Sequence, residues 1–170
     1  EQIIFINNWQ QKRIYSIIVN KLFGNVSEKK IAILGFSFKA NTNDVRESPA
    51  IEICKYLLSE GANLFINDPK VSLNQIKISL KDIEENNLVD NNSTQNGSWS
   101  FEKDIYKALT NADAAIIITE WEIYKAIDWS KASDLMSSPA WIFDTRSIIN
   151  GKDVKEKGLE FWSLGNGNFN

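Results

Sequence analysis

Histidine is absent from this 170-residue chain, cysteine and methionine each occur once, and proline occurs three times. Without histidine the commonest metal ligand and the commonest general base are missing, and one cysteine cannot form an internal disulfide. A cytoplasmic protein without a structural metal is the expectation. No apolar run is long enough to span a bilayer, and no amino-terminal stretch reads as a signal peptide. The 19 basic and 22 acidic residues leave a formal net charge of −3 and are scattered, so no basic stripe points to nucleic acid. A Gly-x-Gly-x-x-Gly fingerprint and an internal repeat are also lacking.

What the chain does contain is clearest between Lys30 and Asp68. The short aliphatic run Lys30-Ile31-Ala32-Ile33-Leu34-Gly35 reads as a strand buried on both faces. A polar loop follows, and Ser48-Pro49 supplies an N-cap and a first helical residue whose missing N–H is not needed. The helix predicted over Pro49–Glu60 puts Ala50, Ile51, Ile53, Cys54, Leu57 and Leu58 on one broad face, and Gly61 ends it in a left-handed cap. A second strand, Ala62–Asn67, stops at Asp68-Pro69. This is a βαβ unit, whose ligand edge lies at the carboxyl ends of the strands.

Before it, Glu1–Phe23 reads as an amphipathic helix with Ile3, Ile6, Ile14, Ile17, Ile18 and Leu22 on one side and Gly24 as terminator. Ile4, Phe5, Trp9, Tyr15 and Ile18 spread apolar surface beyond one face, as in a buried helix or a partner surface. After Pro69, Ile76-Lys77-Ile78-Ser79-Leu80 alternates like a short edge strand, and Asn86–Ser100 reads as a mobile polar loop. A helix over Phe101–Leu109, a strand over Ala112–Ile118, a helix around Asp128–Met136, and strands at Ala140–Phe143 and Gly158–Ser163 complete the pattern. Strands alternating with helices predict an α/β, doubly wound, mostly parallel Rossmann-like sheet preceded by an amphipathic helix.

Three strand ends then fall on one edge: Phe36–Lys39, Thr119–Trp121 and Asp144–Arg146. Lys39 and Arg146 bring fixed positive charge, and a guanidinium grips phosphate oxygens in a fork. Phe36, Phe38 and Trp121 offer flat apolar surface, a mixture suited to a pyrophosphate joined to rings. The lone Gly35 does not suit close approach of a dinucleotide diphosphate, so side chains and ordinary amides would hold the nucleotide. By residue type alone, Phe38 reads equally as a loop aromatic over the core, Lys39 as a solvated lysine, and Arg46 as the surface partner of Asp44 or Glu47. Thr119 and Glu120 stand open between binding and holding loops together. Asp68 reads as a turn-former that could also accept from a ribose hydroxyl, and Cys54 as an inert buried thiol.

In order and spacing, Gly35-Phe36-Ser37-Phe38-Lys39, Asp44-Val45-Arg46-Glu47-Ser48-Pro49, Asn67-Asp68-Pro69, Thr119-Glu120-Trp121 and Phe143-Asp144-Thr145-Arg146 resemble the carboxy-terminal part of the UDP-glucose 6-dehydrogenases, a branch of the nucleotide-sugar dehydrogenase family. The resemblance implies an NAD-dependent oxidoreductase of polysaccharide-precursor synthesis, taking UDP-glucose, two NAD and water to UDP-glucuronate and two NADH. It implies residues 1–24 as the end of a central dimerisation helix and 25–170 as the UDP-sugar-binding domain. Phe38, Lys39 and Arg146 then correspond to substrate-binding positions and Arg46 to a residue reaching NAD. NAD itself would be held mainly by an amino-terminal domain, which would also carry the nucleophilic cysteine. No catalytic residue is assigned here, and an excised, inactive fragment that pairs as a homodimer or higher oligomer through its first helix is the expectation.

Neighbouring readings are a UDP-N-acetylmannosamine or GDP-mannose dehydrogenase. A non-catalytic nucleotide-binding module or a phosphoacceptor receiver is more distant, the receiver because Phe36-Ser37-Phe38-Lys39 stands where it needs an acidic pair for a divalent cation.

Overall fold

The computed structural model describes residues 2–82 and 97–165, the first nine of them by backbone alone. Helix α1 (Gln2–Lys21) leads through left-handed Phe23 and Gly24 to β1 (Lys30–Leu34). Helix α2 (Pro49–Ser59) begins as expected: the Ser48 hydroxyl accepts from the Ala50 N–H, and Pro49 occupies the first turn. Gly61, at φ +86°, turns the chain directly into β2 (Asn63–Asn67).

The next segment departs from the expected edge strand. Residues 73–79 form a helix, α3 (Leu73–Ser79), opened by a capping box in which the Ser72 hydroxyl accepts from the Gln75 N–H and the Gln75 side chain accepts from the Ser72 N–H. The alternating isoleucines fit helix better than strand: Ile76 and Leu80, four apart, are buried while Ile78 is 65% exposed. The polar run 86–100 lies partly outside the described residues, but its end is a strand. Ser98–Phe101 form β3, turning Trp99 and Phe101 towards the core.

Helix α4 (Ile105–Leu109), capped by Asp104, precedes β4 (Ala114–Ile117). A single turn, α5 (Glu122–Lys125), and α6 (Trp129–Leu135), capped by Asp128, lead to β5 (Trp141–Asp144). Helix α7 (Gly151–Glu156) and β6 (Glu160–Ser163) complete the domain. The turn α5 and helix α7 were not foreseen in the sequence.

All six strands are parallel, in the order β3-β2-β1-β4-β5-β6. Parallel strands joined by helices need cover on both faces, and the strand residues divide accordingly. Ile31, Ile33, Leu64, Ile66, Ala114, Ile116 and Phe143 face one layer, which contains α1, α2 and α3. Ala32, Leu34, Ala115, Ile117 and Ile142 face the other, built on α4, α5, α6 and α7. Each fully buried Ile or Leu here stabilises by roughly 1.5–3 kcal/mol relative to exposure.

The carboxy-terminal half of α1 is part of this core. Ile14, Ile18 and Leu22 are buried against the sheet layer, and Tyr15 stacks on Tyr56 of α2 with centroids 3.7 Å apart. Tyr15 and Ile18, read from sequence as surplus apolar surface, are thus used within the chain. No helix among the described residues is long and apolar enough to cross a membrane.

Candidate functional site

The strand order reverses direction between β1 and β4, so the loops leaving their carboxyl ends diverge and leave a crevice, the place where open α/β sheets bind ligands. The β1, β4 and β5 loops meet there around a cavity of about 380 Å³, within the usual range for small-ligand sites. Phe38 and Lys39 enter it from β1, Ile118 and Glu120 from β4, Thr145 and Arg146 from β5. Gln11 and Ile14 of α1, Glu47 before α2, Pro49 and Ile53 of α2, and Leu164 after β6 close the rest. A shallower hollow on the far side of Lys39, Glu120 and Arg146 runs towards Asn41, Lys125 and Ile148.

Arg146 is held by its own strand end. The wholly buried Asp144 carboxylate accepts from the Arg146 N–H at 3.0 Å and from the Ile148 and Ile149 N–H groups at 2.8 Å each, which folds residues 144–149 into a tight turn. Thr145 locks the turn to β4 by donating its hydroxyl to the Ile117 carbonyl at 2.7 Å. The Arg146 guanidinium then bridges all three loops. Its Nε donates to the Ile118 carbonyl at 2.7 Å, and Nη2 donates to the Phe38 carbonyl at 3.3 Å. The Nη1 group has no hydrogen-bond partner among the described residues.

Glu120 lines the cavity and also ties loops together. Its Oε1 accepts from the Ala40 N–H at 3.4 Å, and its Oε2 lies 3.2 Å from Arg146 Nε. That second contact is an ion pair without a hydrogen bond, because the single Nε proton points at Ile118; Oε2 is buried with no hydrogen-bond partner. Thr119 is a tie as well: wholly buried, it donates its hydroxyl to the Ser37 carbonyl at 2.7 Å.

The other candidates separate. Phe38 is 45% exposed and Lys39 is exposed, its ammonium without a hydrogen-bond or ion-pair partner among the described residues. Phe36 and Trp121 are not ligand surfaces: Phe36 is wholly buried in the core, and Trp121 is 6% exposed with its indole N–H turned inward to Ser37 Oγ and Asp68 Oδ2. Arg46 stands apart on the loop before α2, its side chain 87% exposed and forked onto Asp44 at 2.7 Å. That guanidinium holds the Asp44 carboxyl down to about 2. Cys54 is wholly buried on α2, and desolvation pushes its thiol far above the ordinary range, where it is no nucleophile.

The turn after β1 does not fit a dinucleotide. The Gly35 amide donates to the Asn67 carbonyl, and the next two, from Phe36 and Ser37, both donate to the Asp68 carboxylate, so none of the three is available to a pyrophosphate. Gly35 packs directly on Thr119, leaving no close approach for a ligand. A receiver fares no better, since Asp68 is buried and committed, and the strand order is not 2-1-3-4-5. Among the described residues no group of three His, Cys, Asp or Glu is placed to hold a metal ion.

Fold and crevice together define a doubly wound α/β domain with a side-chain-lined cavity in place of a glycine-rich turn. The profile of the UDP-glucose/GDP-mannose dehydrogenase family, UDP binding domain, matches residues 32–151, and the chain belongs to that family. UDP-glucose 6-dehydrogenase 4 of Arabidopsis thaliana is 40% identical over 170 residues, 97% of this chain and 35% of the relative. The UDP-glucose 6-dehydrogenase of Pongo abelii is 40% identical over 169 residues, again 97% of this chain and 33% of the relative. The chain therefore spans about a third of the length of these relatives. Among solved structures, an NDP-N-acetyl-D-galactosaminuronic acid dehydrogenase from Methanosarcina mazei superposes with a TM-score of 0.69 at 18% identity, covering 92% of this chain and 28% of that one. A UDP-glucose dehydrogenase from Pyrobaculum islandicum gives 0.64 at 22%, covering 95% and 31%. At those identities the likeness is one of fold.

Proposed function

We propose that this chain is the UDP-sugar-binding portion of an NAD-dependent UDP-glucose 6-dehydrogenase, with Phe38, Lys39 and Arg146 contacting the substrate. One observation carries the reading: Lys39 and Arg146, from different strand ends, meet at one cavity, each with charge-bearing N–H groups that have no hydrogen-bond partner among the described residues. A diphosphate placed there takes charge-assisted hydrogen bonds from both, and the exposed Phe38 ring gives an attached base or sugar a flat face. Gripping the distant nucleotide lets its binding energy orient the reacting sugar carbon, which is how a non-catalytic domain raises turnover. Hydride transfer belongs to NAD, and the turn after β1 argues that NAD is held mainly outside this chain, with Arg46 reaching towards it from its exposed loop. The alternative sugars gain no support, because the curated relatives at 38–40% identity are UDP-glucose enzymes.

On this reading residues 1–24 are the end of a central helix and 25–170 the UDP-sugar domain, the protein is cytoplasmic, and α1 pairs with a second copy. The exposed Phe23, 83% accessible at the end of α1, supports a contact there. The test is calorimetry with UDP alongside absorbance of reduced cofactor with UDP-glucose and NAD. Binding of UDP without NADH formation is expected; appreciable turnover by this chain would overturn the division of labour.

A further inference from the structure

Asp68 follows β2 at the carboxyl edge, where dinucleotide-binding sheets carry the acid that accepts a ribose hydroxyl. Here the carboxylate is turned inward, and the residue is 4% exposed. Its Oδ2 accepts from the N–H groups of Phe36 at 2.8 Å and Ser37 at 3.0 Å and from the Trp121 indole at 3.2 Å. Its Oδ1 accepts from the N–H groups of Lys70 at 2.9 Å and Val71 at 3.0 Å. All five contacts are donors to it, a role only an acceptor can fill.

The two amides from the β1 loop are those that a glycine-rich turn would aim at a pyrophosphate. The connection onward to the cavity is short. Ser37 donates its hydroxyl to the Lys39 carbonyl at 3.1 Å and accepts from Thr119 on its own carbonyl, and Phe38 donates its N–H to the Asp44 carbonyl at 2.8 Å. Asp68 thus sits at the root of the loop whose tip carries Phe38 and Lys39. Removing the carboxylate strands the buried N–H groups of Phe36 and Ser37 in one segment and Val71 in another, and the loop must re-form to satisfy them.

We propose that Asp68 is a positioning residue for nucleotide recognition: as an internal anion it takes the β1-loop amides, shuts that turn to a dinucleotide diphosphate, and fixes the loop so that Phe38 and Lys39 face the cavity beside Arg146. The proposal rests on the UDP-binding reading above. The experiment is calorimetry of UDP with the whole chain, unaltered and as Asp68→Asn, Lys39→Met and the double variant. Asn matches the shape but places an amide N–H₂ against one set of donors. Asp68→Asn is expected to unfold cooperatively and bind UDP about tenfold more weakly; Lys39→Met costs a similar factor in the unaltered chain but little in the Asp68→Asn background. A merely structural loss gives factors that multiply, so full multiplication, or unchanged affinity in Asp68→Asn, overturns the proposal. If Asp68→Asn does not fold, amide shifts of the unaltered chain decide: on UDP addition Lys39 and Ala40 should shift while Phe36 and Ser37 stay put, and larger shifts at Phe36 and Ser37 would refute it. Absence of UDP binding by the unaltered chain removes the UDP reading itself, and the proposal with it.

Discussion

Gly35 and Thr119 pack backbone against side chain: a Cβ built on Gly35 would lie 2.4 Å from the Thr119 Cβ and 2.7 Å from the Thr119 backbone nitrogen. This close approach lets the Thr119 hydroxyl reach the Ser37 carbonyl and so joins the β1 and β4 loops at the floor of the site. Gly35 also holds φ at +98°, which an L side chain resists. The two penalties add. Gly35→Ala should lose about 3 kcal/mol or more, from overpacking and backbone strain together. Urea unfolding should show a lower midpoint at unchanged slope, and a loss below about 1 kcal/mol would contradict the packing described.

The two arginines should separate in binding. Arg146 is fixed by three carbonyl and carboxylate contacts with one guanidinium edge open to the cavity, whereas Arg46 is solvent-exposed and committed to Asp44. Loss of a charge-assisted phosphate contact costs on the order of 2 kcal/mol, so Arg146→Ala should weaken UDP binding by tens-fold, and Arg46→Ala by no more than about twofold. Equal effects in calorimetry would sink the distinction. On the proposed function, Arg46→Ala in a full-length protein should act on NAD and turnover, which steady-state kinetics with NAD varied would read.

Binding of UDP-glucose should be insensitive to pH between about 5 and 8, where histidine is the side chain that ordinarily titrates and this chain has none. The shifted groups near or under the site titrate outside that window. Burial raises Tyr124 and Cys54, while Asp44 is depressed from 3.8 to about 2 by Arg46. A depressed carboxyl contributes fully above its unfolded value and loses that contribution only as pH falls through the folded one, so the Asp44–Arg46 fork persists down to acid pH. UDP-glucose is the proper ligand, since the terminal phosphate of UDP itself ionises near pH 6, by analogy with phosphate monoesters of pKa about 6. A step in UDP-glucose affinity within the window would contradict this.

The βαβ unit and the three converging strand ends were legible because local chemistry and tertiary role coincide there. Ser48-Pro49 and Gly61 cap α2 whatever surrounds them, and the aliphatic runs of β1 and β4 have no other stable place than a covered sheet. Alternation misled at Ile76–Leu80, since 76 and 80 also share a helix face; the Ser72–Gln75 box was the deciding signal. At Ser98–Phe101 the reverse held, with true alternation hidden at the end of a polar run. Side-chain direction was the least legible feature. Phe36, Phe38 and Trp121 look alike as loop aromatics, yet only Phe38 faces out: Phe36 packs in the apolar core, and the Asp68 carboxylate and Ser37 hydroxyl draw the Trp121 indole inward. Nothing local in Asp68-Pro69 announces those long-range partners.

The most direct test is a crystal structure of this chain grown with UDP. The diphosphate is expected between Lys39 Nζ and Arg146 Nη1, within about 3 Å of at least one, with Asp68 still bound to the Phe36 and Ser37 amides. A nucleotide seated on those amides, or away from the β1/β4 crevice, would contradict the proposed site.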